Sequence, residues 1–235
     1  SAGAVAWGAA KAAAVRPAAL LTPKAAAPAE AEASADDEVG PDTLAIESAV
    51  SSTGSALTQL HFNDSHFDQQ CGRGINIMAL NLAKEADEQV EGFMTFDIFA
   101  SAAAVNDMVE YLAGVDEGVV IAAAVKDVPG GSLAERLAAQ TAMSAPGGGM
   151  EALNLIGASG QKPDAKRALI ICGAVGRGRA WERWGGNIVK ARFPREQLER
   201  IANGEGETMM VERDARELAE REKAERAQQE AERTR

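Results

Sequence analysis

The sequence predicts a single α+β domain in the middle of the chain, because strand-like segments outnumber helix-like ones and do not alternate regularly with them. Residues 75–82, INIMALNL, alternate side chains between two faces, as a strand does. Residues 118–127, GVVIAAAVKD, form the continuous apolar run typical of a buried strand. Residues 102–115 instead repeat apolar side chains with a helical period. These three segments define the predicted core.

Shorter signals complete the predicted order of elements. The further segments are a hairpin at 57–66, a strand at 93–101, a helix at 132–143, a loop with a short apolar segment at 146–160, and a last buried strand at 167–176. The hairpin is predicted because turn-forming residues follow an alternating run. The second helix is predicted because Ser132 is followed three residues later by Glu135, the spacing of a capping box.

Composition divides the chain of 235 residues into three parts. Residues 1–43 are rich in alanine and proline and then acidic, which predicts an extended arm. Residues 44–189 contain the predicted domain. Residues 190–235 predict a charged helical tail, since Glu and Arg recur four residues apart without an apolar stripe.

Charge is distributed unevenly along the chain. The net charge of −11 argues against nucleic acid as a partner. Between Lys166 and Arg195, however, eight basic residues stand against one acid, Glu182. This window is either a solvated face or a docking surface for an acidic subunit or anionic lipid headgroups. The candidate interaction residues are Arg177, Arg179, Trp181, Arg183, Trp184, Lys190 and Arg192. In the alternative, both tryptophans complete the domain's own core and the cations stay in water.

Catalytic and metal-binding patterns are weak in this sequence. Cys71 and Cys172 lie 101 positions apart, which favours two buried free thiols over one disulfide. His61 and His66 have neither helical spacing nor a usual zinc spacing, so we expect strand and turn roles for them. We therefore expect no enzyme activity, no metal and no cofactor.

The glycine-rich turn at residues 71–76, CGRGIN, precedes a strand, whereas a phosphate-binding loop follows a strand and opens a helix. The turn belongs instead to a set of four motifs that resembles the ILEI domain (interleukin-like epithelial–mesenchymal transition inducer, also called PANDER-like). The matching residues are Gly72, Arg73, Gly74, Ile75 and Asn76; Phe96, Asp97 and Ala100; Gly118, Val120, Val125 and Asp127; and Gly173 and Gly176. The resemblance covers about residues 44–176.

This resemblance implies a compact fold of two mainly antiparallel sheets with short flanking helices. It implies no catalytic residues, and family members include secreted signalling proteins and a carbohydrate-binding module. Within the motif we expect Gly72 and Gly74 to permit positive φ angles. Arg73 and Asp97 are expected to form an ion pair between two strands, and Asn76 to hydrogen-bond a neighbouring loop.

Taken together, the sequence predicts a structural subunit of a large organellar membrane-protein assembly, with its tails lying on neighbouring protein subunits. The alanine-rich start without methionine suggests an imported protein, although residues 1–10 are too short an apolar run to span a membrane. The expected host is a photosystem–antenna supercomplex in the plastid thylakoid, with a mitochondrial complex as the second choice. The alternative function is a carbohydrate-binding or secreted signalling protein.

Overall fold

The structure, a computed structural model, describes residues 42–50, 57–127, 130–163 and 167–233. The predicted N-terminal arm lies outside the described residues, apart from its last two positions. Nine strands occur in the described ranges: β1 Leu44–Val50, β2 Gln59–Phe62, β3 Ser65–His66, β4 Gly74–Leu80, β5 Val90–Phe96, β6 Val120–Asp127, β7 Leu169–Ala174, β8 Trp181–Trp184 and β9 Ile188–Phe193. Five helices accompany them: α1 Ala102–Ala113, α2 Leu133–Ser144, α3 Gly149–Asn154, α4 Arg195–Ala202 and α5 Gly206–Arg233. The predicted α+β class is confirmed.

The strands pair almost entirely antiparallel, as expected. One group contains β5, β4, β6, β7 and β8 in that spatial order, and a second group places β1 between β9 and the β2–β3 hairpin. These groups correspond to the two predicted sheets, but they are not separate. The end of β1 pairs in parallel with the end of β6 at Ala49–Lys126 and Val50–Asp127, which joins all nine described strands into one sheet.

Two hydrophobic clusters cover the two faces of the central strands. On β4, Ile75 and Ile77 face the cluster that contains α1 and α3, whereas Met78 and Leu80 face the cluster that contains β1, β2, β9 and α4. All seven residues of β4 are buried for this reason. The alternation in the sequence therefore separates two apolar faces, each packed on a different layer.

The helices at the centre of the chain begin where the sequence predicts. The hydroxyl of Ser101 accepts a hydrogen bond from the amide of Ala104 (3.1 Å) at the start of α1. At the start of α2, Ser132 and Glu135 form the predicted capping box. These caps satisfy amide groups that would otherwise lack partners at the helix ends.

Three features differ from the sequence prediction after residue 145. The predicted loop at 146–160 contains α3, whose N-cap Gly148 has no side chain to signal a helix start. Two further strands, β8 and β9, follow the predicted last strand. The sequence did not indicate them, because these short strands carry charged residues among the apolar ones. The predicted tail boundary at residue 190 falls inside β9, and Leu198 and Ile201 of α4 are also buried in the core.

Candidate functional site

The Gly-Arg-Gly turn lies at the start of β4, against the end of β5. Gly74 has a φ angle of +109°, and a Cβ atom there would lie 1.9 Å from the carbonyl oxygen of Phe96. The expectation of a positive φ angle is thus confirmed for Gly74. Gly72 does not have one; it is needed because a Cβ would lie 2.6 Å from Cγ2 of Thr95. The turn therefore requires glycine at both positions, for different reasons.

The predicted ion pair between Arg73 and Asp97 forms. Nε of Arg73 donates to Oδ2 of Asp97 (3.0 Å), and Nη2 donates to the same oxygen. Oδ1 of Asp97 accepts hydrogen bonds from the amides of Phe99 (3.3 Å) and Ala100 (3.2 Å). The hydrogen bond to Asp97 raises the pKa of Arg73, and the more distant charges of Asp127 and Glu135 act in the same direction. Asp97 thereby links the turn before β4 to the turn that leads into α1.

Asn76 is fully buried and hydrogen-bonds the neighbouring loop, as expected. Its Oδ1 accepts hydrogen bonds from the amide of Gly72 and the hydroxyl of Thr95, both at 2.8 Å. Its Nδ2 donates to the carbonyl oxygens of Gly72 (3.1 Å) and Ala124 (3.3 Å). These four hydrogen bonds occupy both donors and both acceptor positions of the side-chain amide. The role of Asn76 is therefore to stabilise the fold.

The remaining motif residues also make internal contacts. The ring of Phe96 is buried, with its centroid 5.7 Å from that of Tyr111. A Cβ atom at Gly173 would lie 2.0 Å from the carbonyl oxygen of Ile156, and Gly176 has a φ angle of +70°. The motif residues thus hold strand ends and turns in place.

Trp181 is buried, which contradicts the docking role expected for it. Only 5% of this residue is exposed, and its ring stands edge-on to Phe193 at a centroid distance of 4.8 Å. Trp184 is half-buried, with Arg167 over its ring, and its Nε1 donates to Oε2 of Glu182 (3.3 Å). The alternative in which both tryptophans complete the domain's own packing therefore holds for Trp181 and largely for Trp184.

Four of the candidate interaction cations have acidic partners within the chain. The nitrogen–oxygen distances are 3.4 Å for Arg177–Glu117, 3.6 Å for Arg179–Glu207, 3.2 Å for Arg183–Glu217 and 2.8 Å for Lys190–Glu47. Arg192 lies on β9 opposite Ala45 of β1. Exposed pairs of this kind contribute only about 0–1 kcal/mol each to stability. They do reduce the positive charge that this surface offers to an anionic partner.

Glu182, the one acid in the basic window, is a buried residue whose role the sequence did not indicate. Only 7% of it is exposed, and its carboxylate accepts hydrogen bonds from the amide and the hydroxyl (2.7 Å) of Ser159. A lone glutamate among cations resembles an ordinary surface residue. Only the fold brings Ser159 and Trp184 close enough to satisfy its oxygens.

The first turns of α5 pack on β8, and the burial of α5 side chains ends at Glu217. Met209 is buried, and Nη1 of Arg213 donates to the carbonyl oxygen of Glu182 (2.9 Å). Arg183 pairs with Glu217 one turn later. From residue 218 to residue 233 every side chain is exposed. We call residues 218–233 the α5 arm.

The two thiols are buried, and the two imidazoles contact each other. Cys71 and Cys172 are free and buried, as expected, and burial raises the pKa of Cys71 to about 12 and raises the pKa of Cys172. The rings of His61 and His66 meet edge-on across the predicted hairpin, with their centroids 4.4 Å apart. In the described part of the chain, no group of three or more His, Cys, Asp or Glu side chains could hold a metal ion. Among the described helices, none is both long and apolar enough to cross a membrane.

Comparison with known families agrees with the motifs. Residues 73–149, about a third of the chain, match the family model described as ILEI, interleukin-like EMT inducer. The match runs from Arg73 through β4, β5, α1, β6 and α2, and it includes Asp97 and Asp127. This segment of the chain is therefore similar to an ILEI domain. No curated protein matches the chain.

Proposed function

We propose that this protein is a non-enzymatic interaction subunit, in which the ILEI domain presents the α5 arm to a neighbouring subunit of a larger assembly. The α5 arm carries this proposal. It extends about 24 Å at 1.5 Å per residue, and all of its side chains are exposed. Most helices in proteins are stabilised by packing of an apolar face. A helix segment whose side chains are exposed gains stability when it lies along a partner.

The charges of the α5 arm support a protein partner. Acidic and basic residues are interspersed along it, and Glu222 pairs with Arg226 four residues later. Leu218, 60% exposed, is its one large aliphatic side chain. Charges of both signs around a helix suit complementary ion pairs with another polypeptide, which favour one partner and one orientation.

The proposed host is an organellar membrane-protein assembly, with a photosystem–antenna supercomplex of the plastid thylakoid as the first choice and a mitochondrial complex as the second. The alanine- and proline-rich composition of residues 1–35 supports this choice. The ion pairs within the basic window favour a protein surface over a bare lipid surface, because the cations are already partly neutralised.

A truncation tests the proposal. A chain that ends after Glu217 keeps the contacts of Arg213 and Arg183 with the domain and lacks the α5 arm. We expect it to melt at nearly the same temperature as the full chain and to be absent from the native assembly on non-denaturing gels. A second variant, in which Glu222 and Arg226 are exchanged, keeps the α5 arm with the same composition and net charge. Comparing it with the truncated chain separates the effect of losing the helix from the effect of losing its charge pattern.

Undiminished incorporation of the truncated chain would contradict the role of the α5 arm. If, in addition, the isolated domain bound a soluble glycan, the function would instead be the carbohydrate-binding one that some ILEI-like proteins have.

A further inference from the structure

A cavity of about 370 Å³ opens beside α2, between the turn before α1 and the loop that precedes β7. Its lining consists of Ile98, Phe99, Arg136, Gln140, Met143, Lys162 and Pro163. Ile98 and Met143 are almost fully buried and, with Phe99 and Pro163, form an apolar floor. The volume lies within the range of small-molecule sites, about 300–1,000 Å³.

Both charged residues of the lining are cations, and neither is neutralised by a described acid. Nζ of Lys162 donates to the carbonyl oxygen of Gln140 and to the hydroxyl of Ser144, both at 3.2 Å and both uncharged. Partial burial lowers the pKa of Lys162. The guanidinium of Arg136 makes neither a hydrogen bond nor an ion pair with another described residue, in contrast to the guanidinium groups of Arg177, Arg179 and Arg183.

We propose that this cavity binds a small amphipathic carboxylate, with its head group between Arg136 and Lys162 and its apolar body on Ile98 and Met143. The guanidinium offers the planar pair of donors that a carboxylate accepts. Lys162 has three donors, and the two observed acceptors leave one for the ligand. In a chain of net charge −11, two cations that line the same cavity, without an acid partner among the described residues, select together with the apolar floor for an anion with an apolar tail.

This site lies within the predicted domain, residues 44–189, and contains no residue of the α5 arm, so its test is independent of the proposed function. Among the described residues, its cations come from α2 and from the loop before β7, and its apolar floor also uses the turn after β5.

Octanoate is the test ligand, and octan-1-ol and octylammonium are its neutral and cationic controls. In the full chain labelled with ¹³C at the methionine methyl groups, the Met143 signal should shift saturably with octanoate. The Met209 signal should stay in place, because that residue is buried in the other cluster. We expect octylammonium to bind at least tenfold more weakly, since a charge-assisted hydrogen bond contributes about a factor of ten or more.

Substitutions then separate charge recognition from simple hydrophobic binding. Arg136→Gln and Lys162→Gln should each weaken octanoate binding about tenfold and leave octan-1-ol binding unchanged. Lys223→Gln, which removes an exposed cation from the α5 arm, should change neither. Equal affinity for octanoate and octan-1-ol, or the absence of a saturable Met143 shift in a folded chain, would overturn the proposal.

Discussion

The guanidinium of Arg213 lies over the indole ring of Trp181, 5.0 Å from the ring centroid, and its Nη1 also donates to the backbone of Glu182. One side chain thus joins α5 to β8 by a cation–π contact and a hydrogen bond. Trp181 is held from its other side by Phe193 of β9. This contact fixes the direction in which the α5 arm leaves the domain.

Replacing Arg213 with alanine should loosen the start of α5. The cation–π contact and the hydrogen bond together contribute about 1–2 kcal/mol at a partly exposed site, so we expect a loss of that size in the free energy of unfolding. Urea denaturation measures it, and hydrogen exchange should show faster exchange around Met209. Arg221→Ala, on the exposed α5 arm, is the matched control. Equal stability of the two variants would show that Arg213 does not hold the helix.

The ion pair of Arg73 and Asp97 should contribute to folding rather than to binding. Arg73→Ala and Asp97→Asn should each lower the free energy of unfolding by about 1–2 kcal/mol, since both side chains are less than a third exposed. Asp97→Ala should cost more, because it also removes the acceptor of the Phe99 and Ala100 amides. Unchanged melting temperatures for the first two variants would refute the pairing.

Gly74→Ala tests the turn. The positive φ angle and the close approach of the Phe96 carbonyl should together cost about 3 kcal/mol in thermal or urea unfolding. Gly186→Ala is the matched control, because nothing lies within 4 Å of a Cβ there and its φ angle is not positive. Similar losses in both variants would mean that the turn tolerates a side chain.

The histidine pair should make stability depend on pH. Burial lowers the pKa of His61, His66 lowers it further, and Asp68 acts in the opposite direction. Since the unfolded chain binds this proton more readily, the contribution of neutral His61 is present above about pH 6.5 and is lost as the pH falls through the folded-state pKa. His61→Gln should therefore flatten the fall in stability between about pH 6.5 and pH 5.

Direct titration checks the cause of this dependence. By ¹H NMR, His61 should titrate below about pH 6.5, and His66→Gln should move its pKa upward. Titration of His61 at or above the ordinary histidine value would contradict the assignment.

The elements with local signals were predictable from the sequence. The alternation of β4, the apolar run of β6 and the capping box of α2 each arise from neighbouring residues, and the structure contains all three. The pairing of Arg73 with Asp97 came from the family resemblance, and the structure confirms it. The three elements needed no knowledge of distant contacts, whereas the pair of Arg73 and Asp97, 24 positions apart, needed the resemblance.

The features that the sequence did not predict depend on contacts between distant segments. Trp181 among cations resembles an interface residue until β9 and α5 cover its ring. The acids that pair with Arg177, Arg183 and Lys190 come from distant segments, such as Glu47 for Lys190, so the sequence does not reveal these pairs. The cavity at Arg136 and Lys162 likewise exists only because α2 packs beside the turn before α1 and the loop before β7.

The most direct test of the proposed function is cross-linking of the native assembly through Lys223, the single lysine of α5. Amine cross-linking followed by mass spectrometry should join Lys223 to a second polypeptide, and to the same residues of that polypeptide in repeated preparations. The links should disappear when the Glu222–Arg226 exchange is introduced. If Lys223 links only to its own chain, and the native protein sediments as a free monomer, the α5 arm does not bind a neighbouring subunit.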